Sequence, residues 1–254
     1  MKRSNRVFNS VAVLLLAASF AGCARSHEGA TPNTEASAAA QSQAELQGDQ
    51  LTRVLQMHQG YTALVTARDA FVSGDVDAAR LELASIAMQP MADGIPPIWA
   101  PNVLDLHQMA ARGVEAELPE GVAESIGLSA NSCGSCHQAT GYIPELAVMP
   151  TPPPGDDAHT QMIQHAYAAQ ELWDGLVTHN VERWTRGQHI LRGVHERPEA
   201  LFGPNFRAQM GSARVDGLNA STTQIVNAES WDERALAYGS LLSSCASCHA
   251  GQTP

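Results

Sequence analysis

After Lys2 the chain contains no lysine; every later basic side chain is an arginine. Lys and Arg total 15 against 26 Asp and Glu, giving a formal charge of −11. A chain so charged lacks the basic surface that neutralises phosphates, which excludes nucleic acid as a partner. It also excludes docking through a lysine-rich ring on this protein, so the partner would have to bring the basic surface. Aromatic residues are scarce, at 5%, and alanine is abundant, a balance that suits small helical bundles rather than β-sandwiches. Cysteine is scarce too, with five in 254 residues.

Four of those five form one short sequence used twice: Cys133-Gly134-Ser135-Cys136-His137 and Cys245-Ala246-Ser247-Cys248-His249. None is left for a structural disulfide. Each copy reads C-x-x-C-H, the attachment sequence of a c-type haem. The spacing has a chemical reason: two thiols form thioethers to the haem vinyl groups, and the His after the second Cys becomes the proximal iron ligand. A zinc half-site usually pairs with a second half nearby, whereas Cys136 and Cys245 are 109 positions apart. A thioredoxin-type redox pair needs a βαβ setting, and no strand pattern surrounds either copy. The expected cofactors are therefore two covalently bound haem c groups, held by Cys133, Cys136, Cys245 and Cys248.

Residues 1–23 read as an export signal, with Lys2, Arg3 and Arg6 ahead of an apolar stretch over 11–20 that is too short to span a bilayer permanently. It ends Ser19-Phe20-Ala21-Gly22-Cys23, which resembles the bacterial lipoprotein box and implies lipidation at Cys23 after cleavage. Ala24, rather than Asp, follows the Cys, so the outer membrane is the default destination. Removing the signal leaves a charge of about −14. Export agrees with the haem reading, because c-haem is attached outside the cytoplasm. Residues 24–48 carry few large apolar side chains and are expected to form a flexible tether.

From Leu51 the apolar pattern becomes helical, through Val54, Met57, Tyr61, Leu64 and Phe71. Asp75 is placed to cap a second helix, Asn102 a third, and Pro119 to open a fourth that runs into Cys133 and His137. The Pro-rich segment Met149-Pro150-Thr151-Pro152-Pro153-Pro154-Gly155 cannot continue a helix. It is taken as the linker, 149–156, between residues 49–148 and 157–254. The second half repeats the plan. One helix runs through Met162, Trp173 and Val177, a second is capped by Asn180, a third lies somewhere in 205–226, and a fourth starts near Ser230. The expectation is an all-α protein of two tandem four-helix bundles, each with a C-x-x-C-H site in its last helix.

The halves look duplicated. Laying Met57 on Met162 also pairs Gln59 with Gln164, Asp69 with Asp174 and Val72 with Val177, all 105 apart, while the two motifs are 112 apart.

A four-helix bundle with C-x-x-C-H in its last helix resembles the class II cytochromes c, the cytochrome c-prime and c-556 group. Leu201-Phe202-Gly203-Pro204 also resembles a loop of that family. By this resemblance His137 and His249 are proximal ligands. In the c-556 branch a first-helix Met fills the sixth iron position; in the c-prime branch that position is open. Met57 and Met162 occupy equivalent first-helix positions and are the first candidates for sixth ligands. His58 and His165 are alternatives, and His107 on the third helix a further one. The resemblance implies an electron carrier rather than an enzyme, working with redox partner proteins, its two bundles paired as a pseudo-dimer. The competing readings are capture of nitric oxide or carbon monoxide at an open iron and, further off, a di-haem peroxidase.

Overall fold

The computed structural model describes residues 34–91, 94–155, 157–195 and 211–249. The export signal with Cys23, and the Leu201–Pro204 segment, lie outside the described residues. Among the described residues the protein is all-α, with eight helices and no strand. They are α1 (Thr34–Val72), α2 (Val76–Ala87), α3 (Ala100–Glu115), α4 (Pro119–Thr140), α5 (Ala158–Thr178), α6 (Val181–His195), α7 (Ser212–Asn227) and α8 (Trp231–His249). None of the described helices is long and apolar enough to cross a membrane.

The expectation of an unstructured tether over 24–48 gives way from Thr34 onward, where α1 already runs. The stretch is rich in Ala and Gln, which favour helix. A helix that is nucleated elsewhere extends at one hydrogen bond per residue, with no need for a buried face. The chain divides into two compact units, Met1–Ala44 and Glu45–Pro254. The second is the one described below, and it includes both sides of the Pro-rich segment.

Local chemistry sets the helix ends. Asp75 Oδ1 accepts from the Ala78 N–H at 2.9 Å and starts α2; Asn180 Oδ1 accepts from the Arg183 N–H at 3.0 Å and starts α6. Pro119 sits in the first turn of α4, where its missing N–H costs nothing. That helix ends at Gly141, whose φ of +68° is the left-handed cap glycine adopts without strain. A reciprocal box opens α8: Ser230 Oγ accepts from the Glu233 N–H at 3.2 Å, and Glu233 Oε2 accepts from the Ser230 N–H at 2.9 Å. Asn102 does not cap α3. The helix begins two residues earlier, at Ala100, because Pro101 supplies a pre-set φ in its first turn.

The apolar interior is one cluster drawn from both halves, with Phe71, Leu83 and Ile126 on one side of the Pro-rich segment and Trp173, Trp184 and Leu242 on the other. Contacts across that segment tie the halves together. Arg68 on α1 lies 4.8 Å over the Trp173 ring and donates to Gln170 Oε1 at 3.0 Å, both on α5. On the motif helices, Gly127 of α4 leaves no room for a Cβ beside the Ala235 carbonyl of α8, and a Cβ on Gly239 of α8 would stand 2.9 Å from the Ala123 carbonyl of α4. Gly127 and Gly239 are 112 apart, as are Ala123 and Ala235 and the motifs themselves. The crossing is reciprocal, the signature of a self-complementary interface.

A candidate covalent cofactor centre on helices α4 and α8

Cys133, Cys136 and His137 occupy the C-terminal turns of α4; Cys245, Cys248 and His249 close α8. At i, i+3 and i+4 the three side chains of each copy share one helical face. All four cysteines are free thiols. Burial, reinforced by the neighbouring cysteine, pushes Cys133 and Cys245 each up to about 12; burial raises Cys136 and Cys248 as well. Each motif thus holds a pair of thiols kept neutral by burial. Among the described residues no three His, Cys, Asp or Glu side chains converge as a metal cage.

His137 is half-buried, and its Nδ1 lies 2.8 Å from the Val177 carbonyl oxygen on α5. A carbonyl only accepts, so Nδ1 carries the proton and Nε2 keeps its lone pair, the form in which imidazole binds a metal. Burial lowers the basicity of His137 and favours that neutral ring. The Tyr142 ring meets His137 edge-on, centroids 5.9 Å apart. Gly134, between the two cysteines, has no room for a Cβ, which would run into the Leu176 carbonyl and the His179 ring. This donor set fits haem c attachment: two free thiols and an imidazole whose far nitrogen is already oriented by a fixed acceptor.

The second copy has different surroundings. His249 is exposed. Its neighbour on α5 is His165, which burial, and secondarily His249, pushes down to about 4. Of the other first-helix candidates, Met57 is 44% exposed, Met162 is 40% exposed and His58 is exposed as well. None of the three is core filler. His107 on α3 is half-buried, and burial lowers its basicity. The structure therefore brings together His137 with Val177, while the equivalent methionines stand on open faces of α1 and α5.

One residue beside the centre carried no usable pattern in the sequence: His179. Asn131 Nδ2 donates to Asp232 Oδ1 at 2.7 Å, which turns Asn131 Oδ1 toward His179 Nε2, also at 2.7 Å. His179 Nδ1 lies 3.0 Å from the Gln138 carboxamide, and the ring stacks on Trp231 at 4.3 Å and 1°. Arg234 covers the other face of Trp231 at 4.4 Å. The offset of 105 between the halves holds the signal that would have found it. That offset lays Asn180 on Asp75, both helix caps, and lays His179 on Gly74, so a histidine stands where the first half has glycine.

No family model, curated protein or solved structure matches the chain.

Proposed function

We propose that the chain is a di-haem c-type cytochrome that carries electrons between redox partners outside the cytoplasm. One haem would be bound through Cys133, Cys136 and His137 and the other through Cys245, Cys248 and His249. The observation that carries the reading is His137. It stands one residue beyond two free thiols, on their helical face, with Nδ1 engaged by the Val177 carbonyl and Nε2 available. Bound there, haem supplies a one-electron iron couple. The chain's own residues do the rest. The thiols anchor, the Val177 carbonyl orients the imidazole and raises its basicity, and the packed α4–α8 crossing holds the two motifs on one rigid frame.

The reciprocal glycine contact supports two duplicated bundles, 49–148 and 157–254, packed as a pseudo-dimer. Exposed Met57 and Met162, at equivalent positions, are available as sixth ligands, with His58 and His165 as alternatives. Cys23 would carry the lipid anchor, facing the periplasm from the outer membrane, and acidity over most of the chain selects partners with basic docking surfaces.

The test is the absorption spectrum of the holoprotein lacking residues 1–23, reduced, before and after carbon monoxide, with haem counted as pyridine haemochrome. Two haems per chain, low-spin and unmoved by the gas, support the electron carrier. A high-spin haem that binds carbon monoxide overturns that assignment in favour of gas capture or peroxidase chemistry. No covalent haem overturns the reading altogether.

A further inference from the structure

We infer that His179 is a positioning residue for the first haem site, so that the second half of the chain completes the centre carried by the first. The inference rests on the haem reading above and adds to it a residue that neither the motif nor the resemblance points to.

The argument begins at the end of α5. The last turn of a helix leaves carbonyls without N–H partners. Here the chain turns left-handed at His179, φ +49°, and that turn uses two of them: the His179 N–H donates to the Leu176 carbonyl at 3.3 Å and the Asn180 N–H to the Gly175 carbonyl at 2.9 Å. The next carbonyl, of Val177, is the acceptor for His137 Nδ1 at 2.8 Å. The left-handed turn therefore decides which carbonyl faces the proximal imidazole.

A left-handed backbone is unfavourable for a residue with a Cβ and easy for glycine. The equivalent position in the first half is indeed glycine, Gly74 at φ +88°. Histidine tolerates the strain at 179 because its ring is held. Its partners Asn131 and Gln138, with Gly134 between them, fall at i, i+7 and i+3 on one stripe of α4 that brackets the motif. The imidazole thus clamps the α5 turn onto the motif helix from both ends, and Gly134 admits the turn by having no side chain. The second motif has no counterpart: the matching stripe reads Ser243, Ala246 and Ala250, and Gly74 has no side chain to reach it. The two haem sites are accordingly held by different means.

The test uses His179→Gly in the complete holoprotein, a change that suits the left-handed backbone while removing the clamp. Haem is counted as pyridine haemochrome, and a potentiometric titration is resolved into two one-electron components. Loosening the Val177 carbonyl from His137 lowers the basicity of the proximal ligand and disfavours ferric iron. The component of the first site should therefore shift its reduction equilibrium upward by about threefold, ~28 mV at 59 mV per tenfold, with the other component unmoved. His179→Asn, which tolerates the same backbone and keeps a polar group on Asn131, should return that component most of the way to its unsubstituted value. Two haems with both potentials unchanged, or both moved together, overturn the inference. If His179→Gly does not accumulate, Gln138→Ala at the exposed end of the clamp serves instead: a rise of the same single component supports the inference, and no rise overturns it. Absence of covalent haem from the unsubstituted protein is a failure of the haem reading, separately visible in the haem count.

Discussion

Gly127 and Gly239 meet at the α4–α8 crossing, a Cβ on the first falling 3.4 Å from the backbone nitrogen of the second. Each also lies against the carbonyl of the residue four before the other, Ala235 and Ala123. Two helices that end in the same C-x-x-C-H sequence are thereby locked backbone to backbone, about two turns before their cysteines. The spacing between the motifs follows from this contact rather than from the stiffness of the Pro-rich segment.

Substitution at the crossing should be costly. Gly127→Ala or Gly239→Ala forces a methyl group against main-chain atoms that cannot rotate away, and overpacking of this kind destabilises by about 1–3 kcal/mol. Gly217 on α7 and Gly193 on α6 have nothing within 4 Å of a built Cβ. There, alanine should stabilise by roughly 0.5–1 kcal/mol through helix propensity. Thermal unfolding of the four variants checks the prediction. Equal responses at crossing and control sites would remove the crossing from the account of the fold.

What the sequence disclosed follows from how far each signal reaches along the chain. Asp75, Pro119, Asn180 and Ser230 act within a turn of themselves, so their roles at helix starts were legible. The two C-x-x-C-H sequences stand out because their spacing is local, and each folds onto the end of one helix. His179 does not, since its partners Asn131 and Gln138 are 48 and 41 positions away and are brought to it only by packing. The helix over 34–48 carries no apolar periodicity to announce it; it follows from propensity and from continuity with the rest of α1.

The N-terminus of α8 carries a pH dependence whose sign is set by Glu233. Hydrogen bonds from the Ser230 and Glu229 N–H groups, with that of the Ser230 hydroxyl, hold its carboxyl below the usual glutamate range. A depressed folded value means stabilisation that is complete above the unfolded value, about 4.3, and is lost as the pH falls through the lower folded one. Acidification through that window should loosen the first turn of α8, read as faster amide exchange at Ser230 and Glu233. Glu233→Gln should flatten the dependence. A variant that retains the same acid-induced exchange would place its origin elsewhere.

On the haem reading, the two thiol pairs act independently. Cys133→Ser with Cys136→Ser should reduce the haemochrome from two haems per chain to one, and Cys245→Ser with Cys248→Ser should do the same at the other site. The remaining haem should differ in potential between the two double variants, because His137 is half-buried and bonded to the Val177 carbonyl while His249 is exposed. Identical potentials for the two single-haem proteins would contradict the asymmetry of the sites.

The sixth ligand separates an electron carrier from a gas binder, and Met57 and Met162 allow a sharp test of it. Both are exposed by two-fifths or more. Truncating an exposed side chain ordinarily changes stability by no more than about 0.5 kcal/mol, so a spectral response cannot be attributed to a damaged core. Met57→Ala should convert one haem, and Met162→Ala the other, from low-spin to high-spin, each gaining stoichiometric carbon monoxide binding. The second site has a competitor in His165 on α5, its basicity driven down to about 4 by burial and secondarily by His249. A second haem that stays low-spin in Met162→Ala but becomes high-spin in His165→Ala would make histidine its ligand. A spectrum indifferent to Met57, Met162, His58 and His165 alike would mean that none of them closes the iron, and the electron-carrier assignment would lose its structural basis.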